Sequence, residues 1–311
     1  MTSSRQNAVS RKPSRWAFHG RPDGARFSRR QKNLEEKLGY VRIILSKFQQ
    51  AIVAFSGGVD STLLAKLAHE VLGADKLLAV TADSPSLARE DLADARLLAQ
   101  RLALTHLVVE TGEVNLSTYR ENTPARCYFC KQELFDVLDK LAQERHIPVV
   151  LYGAIGDDHV SERPGHRAAL QFGVRAPLQE AGLEKWEVRE LAQLLGLPNW
   201  NRPQNACLSS RIPHGREVTE TKLRQIEQAE RCVRGEGFQQ VRVRHLGTHA
   251  RIEVGAEETA RFRDVALCLR VERQLLALGF DSVTLDRFGY RTGGADRPVI
   301  DEIPLTTLHA C

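Results

Sequence analysis

The chain has 311 residues, 42 % of them apolar and 27 % charged, which is enough for two domains with cores of their own. No stretch approaches the roughly 18 consecutive apolar residues of a membrane helix, so a soluble protein with no membrane partner is expected. The net charge of +5 is unevenly placed: residues 1–32 hold nine Lys or Arg against Asp23 alone, a balance of +8 that leaves −3 for residues 33–311.

Residues 1–32 lack the apolar centre of a secretory signal, and their Arg- and Ser-rich, acid-poor composition also suits an organelle transit peptide. The expectation is a basic, disordered arm or the product of an upstream start codon. Without the interleaved aromatics of a stacking platform, nucleic acid is not the expected partner. Six cysteines scattered over 311 residues do not make a secreted disulfide framework, and a cytoplasmic location is expected.

From Leu34 to about Pro198, helix and strand patterns alternate. Helices are predicted over 34–48, 60–72, 86–103, 131–144 and 187–195, and strands over 51–55, 77–81, 106–110 and 149–153. Such an order makes an α/β fold, a parallel sheet flanked by helices, with ligands gathered at the carboxyl ends of the strands. One such end carries "AIVAFSGGVDSTLLAKLA", residues 51–68. Ile52 to Phe55 read as a strand, and Leu63, Leu64 and Leu67 as the stripe of a helix. Glycine between them lets the N–H groups of Gly57, Gly58 and Val59 turn into a common hollow at the positive end of that helix, a natural anion site. The Walker pattern is absent, so phosphates are expected to be held without its lysine. The bland alternative is a glycine turn before a capped helix.

Further along, "RCYFCK" sets Cys127 and Cys130 at the start of a predicted helix, where the dipole, Arg126 and Lys131 favour thiolates. In a cytosolic protein, C-x-x-C points to metal or redox chemistry. No second C-x-x-C completes a four-ligand zinc site, but Cys207 in the polar stretch "NACLSSR" stands out. Three thiolates suit a [4Fe–4S] cluster with one open iron. Zinc with a fourth ligand such as histidine, and accidental neighbours, stay open. Cys232 and Cys268 fall in helical patterns and read as buried, inert thiols, and Cys311 is terminal. Asp157 and Asp158 are candidates for holding Mg²⁺, or an ordinary acidic turn.

The segment "PNWNRPQNACLSSRIPHG", 198–215, breaks the pattern with three prolines and reads as a domain junction. The expected division is an arm over 1–32, a nucleotide domain over 33–198 and a smaller α+β domain over 199–311. In the last, helices are predicted near 220–233 and 257–278, with strands near 239–245, 249–254 and 282–286. In "VRVRH", Arg242 and Arg244 alternate with Val241 and Val243 and so leave one strand face. Paired guanidinium forks match phosphate and carboxylate, although a solvated face has the same pattern.

"SGGVDS" resembles the pyrophosphatase loop of the PP-loop ATPases, which cut ATP between its α and β phosphates. The resemblance implies that Ser56, Gly57, Gly58, Val59, Asp60, Ser61 and Thr62 cradle pyrophosphate, and that Ala82 and Asp83 border the adenine and ribose. Over about residues 34–290 the chain resembles the LarE family, ATP-dependent sulfur transferases of nickel-pincer nucleotide cofactor synthesis for lactate racemase-type enzymes. That likeness rests on "SGGVDS", "NTPARCYFCK", "GDD" at 156–158 with "RPG" at 163–165, "ACLSSRIPHG", "AERC" and "VRVRHLGTHARIEV". It implies adenylylation of the carboxylates of pyridinium-3,5-biscarboxylic acid mononucleotide, release of pyrophosphate, and conversion to thiocarboxylates. The implied catalytic residues are Cys207, Asp60 and Glu230, and the implied substrate ligands are Ser210, Arg211, Arg242, Arg244 and Glu253. Asp60 and Asp157 would hold Mg²⁺. Members with the C-x-x-C use a sulfide on a [4Fe–4S] cluster, here on Cys127, Cys130 and Cys207, whereas others sacrifice the junction cysteine, here Cys207. The likeness also implies a sulfur donor (sulfide or a desulfurase) and a homo-oligomer, a hexamer. Rival readings are a tRNA thiolation enzyme, which the near-neutral body disfavours, an amide ligase, for which no ammonia source is present, and a nucleotide-binding regulator, which has no use for three cysteines.

Overall fold

The computed structural model describes residues 24–158, 164–203, 205–291, 293–296 and 302–305. Residues 1–23 of the expected arm, and Cys311, lie outside the described residues. Residues 24–32, counted with the arm, open a helix instead: α1 (Gly24–Ser46), which buries Leu34, Val41, Ile44 and Leu45.

Four parallel strands follow, β1 (Ala51–Ala54), β2 (Leu77–Asp83), β3 (His106–Glu110) and β4 (Val150–Tyr152), in the order β3-β2-β1-β4. Alternation along the strands divides the apolar residues between two cores. Ala51, Val53, Leu77 and Ala79 pack with α1, α2 (Val59–Leu72), α3 (Arg89–Arg101) and α8 (Lys185–Leu194). Ile52, Leu78, Val80 and Val150 pack with α5 (Arg126–Glu144) and α6 (Pro164–Gln171). Burial on both faces is why these strands read as near-continuous apolar runs. The single-turn helices α4 (Ser117–Arg120) and α7 (Pro177–Glu180) were not expected, because one turn shows no period.

The second sheet is built from β5 (Val241–His245), β6 (His249–Val254), β7 (Ser282–Asp286) and β8 (Glu302–Pro304). β5 and β6 are antiparallel, β6 and β7 parallel, and β7 and β8 antiparallel. One face packs Val241, Val243, Ile252 and Leu285 against α9 (Glu220–Gly235) and α10 (Val265–Ala277). The other carries Arg242, Arg244, Arg251, Glu253, Thr284 and Asp286. The helix predicted near 257–278 is split: a 3₁₀ segment, Ala256–Arg263, precedes α10. Asp264 makes the break, its side chain accepting from the N–H of Ala266 at 2.9 Å as an N-cap. Cys268 is buried and Cys232 half-buried against the same core.

A further apolar cluster joins the sheets at the junction: Val114, Tyr119, Leu208, Ile212, Val218, Leu223 and Ile226. Asn122 fastens it by donating to the carbonyls of Pro213 at 2.7 Å and Arg216 at 2.9 Å. No helix among the described residues is long and apolar enough to cross a membrane.

Candidate active site

The turn after β1 has Gly57 at φ 72°, where a Cβ would also stand 3.1 Å from that of Ala95. Ser61 braces the turn, its Oγ donating to the Gly58 carbonyl at 3.1 Å and accepting from the Ser56 N–H at 3.2 Å. The Gly58 N–H goes to Ser56 Oγ at 3.3 Å, so it is not part of the hollow expected from the sequence. The N–H groups of Gly57 and Val59 have no acceptor among the described residues, and α2 has no side-chain cap. Gly153, beyond β4, approaches so closely that a Cβ there would lie 2.8 Å from the Ser61 nitrogen.

A lysine is present after all, supplied from α8. Lys185 Nζ donates to both Asp60 oxygens at 2.8 Å. Burial raises the Asp60 pKa, and Lys185 works against that rise. Asn199, from the junction, donates to the Gly57 carbonyl at 2.9 Å and to Thr62 Oγ1 at 3.0 Å. Asp157 accepts from the Lys185 N–H at 2.9 Å, and Asp158 from the Ile155 N–H at 3.2 Å, so both acids secure local backbone. Ala82 and Asp83 end β2, with Asp83 paired to Arg89 at 2.6 Å. Lys185 and Asn199 carry no motif that singles them out in the sequence.

Cys127 and Cys207 are exposed, while Cys130 is half-buried against the junction cluster. The thiolate expected at Cys130 is reversed: burial pushes its thiol well up, and Glu113 and Cys207 push the same way. Cys127 adds a weaker push, so Cys127 and Cys207 both lie within electrostatic reach of Cys130. They do not stand as a ligand set, because among the described residues no three His, Cys, Asp or Glu side chains form a metal-holding group.

Beside them a cavity of about 190 Å³ is lined by Arg126, Ser210, His214, Arg242, Arg244 and Tyr290, among others. Arg242 and Arg244 share one strand face, as their alternation predicts, but they differ in charge balance. Arg244 pairs with Glu253 at 2.6 Å and donates to the Ser210 carbonyl at 3.0 Å. Arg242 has no carboxylate partner among the described residues; it donates to Asn205 Oδ1 at 2.8 Å and lies 5.3 Å from the Tyr290 ring centre. Burial and the nearby Arg211 push its pKa down to about 10, which leaves it a cation at neutral pH.

Three residues expected to meet substrate are buried in ion pairs. Glu253 is buried between Arg244 and Arg251, and Arg211 pairs with Glu230 at 2.8 Å with both side chains buried. Burial alone would raise the Glu230 pKa, yet Arg211, Arg242 and Arg234 hold it below the ordinary range. Arg211 donates in turn to the carbonyls of Ala206 at 2.6 Å and Cys207 at 2.9 Å, which fixes the backbone at the junction cysteine.

The family model described as NAD synthase matches residues 32–152. An uncharacterized protein of Synechocystis sp. is 45 % identical over 265 residues, 85 % of this chain and 98 % of that protein. The pyridinium-3,5-bisthiocarboxylic acid mononucleotide synthase of Lactiplantibacillus plantarum is 39 % identical over 249 residues, 80 % of this chain and 90 % of that protein. The chain belongs to the LarE family. One subunit of the glutamine-hydrolyzing GMP synthase of Methanocaldococcus jannaschii is 32 % identical over 203 residues, 60 % of this chain and 64 % of that protein. The NAD synthase match ends at β4, so the junction and the charged sheet face of this LarE-family chain lie wholly beyond it.

Proposed function

We propose that this chain is a cytoplasmic ATP-dependent sulfurtransferase that converts pyridinium-3,5-biscarboxylic acid mononucleotide to its bisthiocarboxylic acid. A carboxylate oxygen attacks the α-phosphorus of ATP, and pyrophosphate leaves into the Ser56–Thr62 turn. Sulfur then attacks the acyl carbon and AMP departs. The observation that carries the reading is one junction segment serving both ends of this chemistry. Asn199 clasps the phosphate-type turn, and Ala206 and Ser210, on either side of Cys207 in the chain, line the arginine-bearing cavity. Lys185 supplies the cation that the turn lacks, and Asp60 with Asp157 are the carboxylates for Mg²⁺. That ion ordinarily takes one or two protein carboxylates and fills its shell with phosphates and water. In this reading residues 33–198 activate, and residues 199–311 bind substrate and deliver sulfur.

Two sulfur sources use the same cysteines. In the first, Cys127, Cys130 and Cys207 hold a [4Fe–4S] cluster, which would supply a bound sulfide. The electrostatic reach of both Cys127 and Cys207 to Cys130 supports this, and the side chains must turn to ligate because no ligand set stands ready among the described residues. In the second, favoured by the exposure of Cys207, its thiolate displaces AMP to give a thioester. Loss of the Cys207 Cα proton to a base then breaks the Cβ–S bond, leaving dehydroalanine and the thiocarboxylate.

The test supplies ATP and the mononucleotide and follows the nucleotide products. AMP and pyrophosphate are expected, with Asp60→Ala and Lys185→Ala each lowering the rate by about 10²-fold or more. ADP and orthophosphate would overturn the reading. Iron analysis after anaerobic reconstitution, with the mass of residue 207 after turnover, decides between the two sulfur sources.

A further inference from the structure

Arg126 reads in the sequence as a residue that favours the neighbouring thiolates, but the structure gives it different company. It is 7 % exposed and lines the cavity together with Arg242 and Arg244. Its Nη1 donates to the Asn122 side chain and, at 3.0 Å, to the Ser209 carbonyl. Its Nε and Nη2 donors have no acceptor among the described residues. The other deeply buried arginines each have a carboxylate: Arg211 has Glu230, Arg244 has Glu253, and Arg251 has Glu302. Arg126 has none. A largely buried guanidinium without a counter-ion is costly to keep, and because its Nε and Nη2 are not sealed from solvent, an anion can reach them and relieve that cost.

Resting on the sulfurtransferase reading above, we infer that Arg126 is a substrate-binding residue. It grips a carboxylate of the pyridine ring in this cavity, between the two cysteine-bearing segments. The free Nε–Nη2 edge is the side of a guanidinium that meets a carboxylate in two parallel hydrogen bonds. The cavity, at about 190 Å³, is smaller than the ~300 Å³ at which whole-ligand pockets begin, so it takes one anionic end of a ligand rather than all of it. Arg242 is the second guanidinium there without a carboxylate partner among the described residues, and Asp296, which also lines the cavity, is turned to His214 at 2.8 Å, so two cations are left for a ligand bearing two negative charges. Placement ties the grip to the chemistry. Arg126 directly precedes Cys127, and its Nη1 holds the backbone two residues beyond Cys207.

The experiment is calorimetric titration of the full chain with pyridine-3,5-dicarboxylate, pyridine-3-carboxylate and a non-hydrolysable ATP analogue. Arg126→Gln and Arg126→Lys are compared with the unmodified protein. The dicarboxylate is expected to bind the unmodified protein more tightly than the monoacid. Both variants should weaken it at least tenfold, the lysine form because it keeps the charge and loses the fork. Affinity for the ATP analogue and the melting temperature should hold. Unchanged dicarboxylate affinity in Arg126→Gln, or no preference for the dicarboxylate in the unmodified protein, overturns the inference. Should both variants fail to fold, a crystal of the unmodified protein soaked in pyridine-3,5-dicarboxylate decides. A carboxylate on Arg126 Nε or Nη2 supports the assignment, and a ligand elsewhere or none overturns it. Failure of the sulfurtransferase reading shows separately: the dicarboxylate still binds through Arg126, yet the mononucleotide and ATP give no AMP.

Discussion

The two sheets lend themselves to chemistry in different ways. The first is apolar on both faces, and its side chains serve two cores. What it offers a ligand lies at strand ends: the turn after β1, Asp83 at the end of β2, Gly153 after β4. The second is apolar on one face only, and its other face is a layer of arginines and acids half sealed beneath the junction and the 294–296 turn. A parallel sheet with helices on both sides has only its edges and ends to give. A mixed sheet with one helical layer can give a whole face, and here that face holds Arg242 and Arg244 of the cavity, while Arg126 comes from the start of α5.

That contrast can be broken most sharply at Glu253, the acid shared by Arg244 and Arg251. Glu253→Ala strips buried Arg244 of its carboxylate and leaves Arg251 with Glu302 alone, and is expected to cost about 3–5 kcal/mol in urea unfolding. A loss below about 1 kcal/mol would mean that the charged layer is solvated rather than sealed. On the apolar side, Leu64→Ala opens a cavity in the first core and should cost about 3 kcal/mol, leaving dicarboxylate binding intact.

His245 tests the apolar face of the second sheet by pH. Burial holds its pKa down to about 4. Between pH 6.5 and 4 the unfolded chain takes up the proton and the folded chain does not, so stability falls as pH falls. From pH 7 to pH 5 the loss should be roughly 2 kcal/mol, and His245→Gln should flatten that slope in paired urea titrations. The smallest effect is expected at Thr219, whose side chain accepts from the Lys222 N–H at the start of α9. Thr219→Ala should cost about 1 kcal/mol, read as a shift in the denaturation midpoint.

Much of the fold was legible because periodicity is local. The strands of the first sheet fall within two residues of their predicted bounds, and Arg242 and Arg244 share a face as alternation requires. What escaped was set by distant contacts or by burial. Lys185 meets Asp60 across 125 residues, and Asn199 reaches Gly57 across 142, and neither separation leaves a mark on the local pattern. The thiol of Cys130 went the other way from its helix-start position because burial and Glu113 outweigh the dipole. Asp264 could have been read as a cap within the predicted long helix, since a capping acid followed by an apolar run is a local signal.

The junction is tied down at several points along its length. Asn199 is bonded to the turn after β1, Arg202 to Asp91 at 2.8 Å and Asp94 at 2.9 Å, and the Leu208 N–H to the Ser86 carbonyl at 2.8 Å. Cys207 directly precedes the last of these anchors, so its sulfur can swing only as far as its own side chain allows. In the proposed reaction a sulfur atom carried there would meet the activated acyl group as an intramolecular partner, at an effective concentration set by geometry rather than by the supply of thiols in solution. In the proposed route through the Cys207 thiolate, free cysteine or sulfide would compete poorly for the acyl-adenylate, and the tether, more than any intrinsic reactivity of the thiol, would decide which sulfur the product receives.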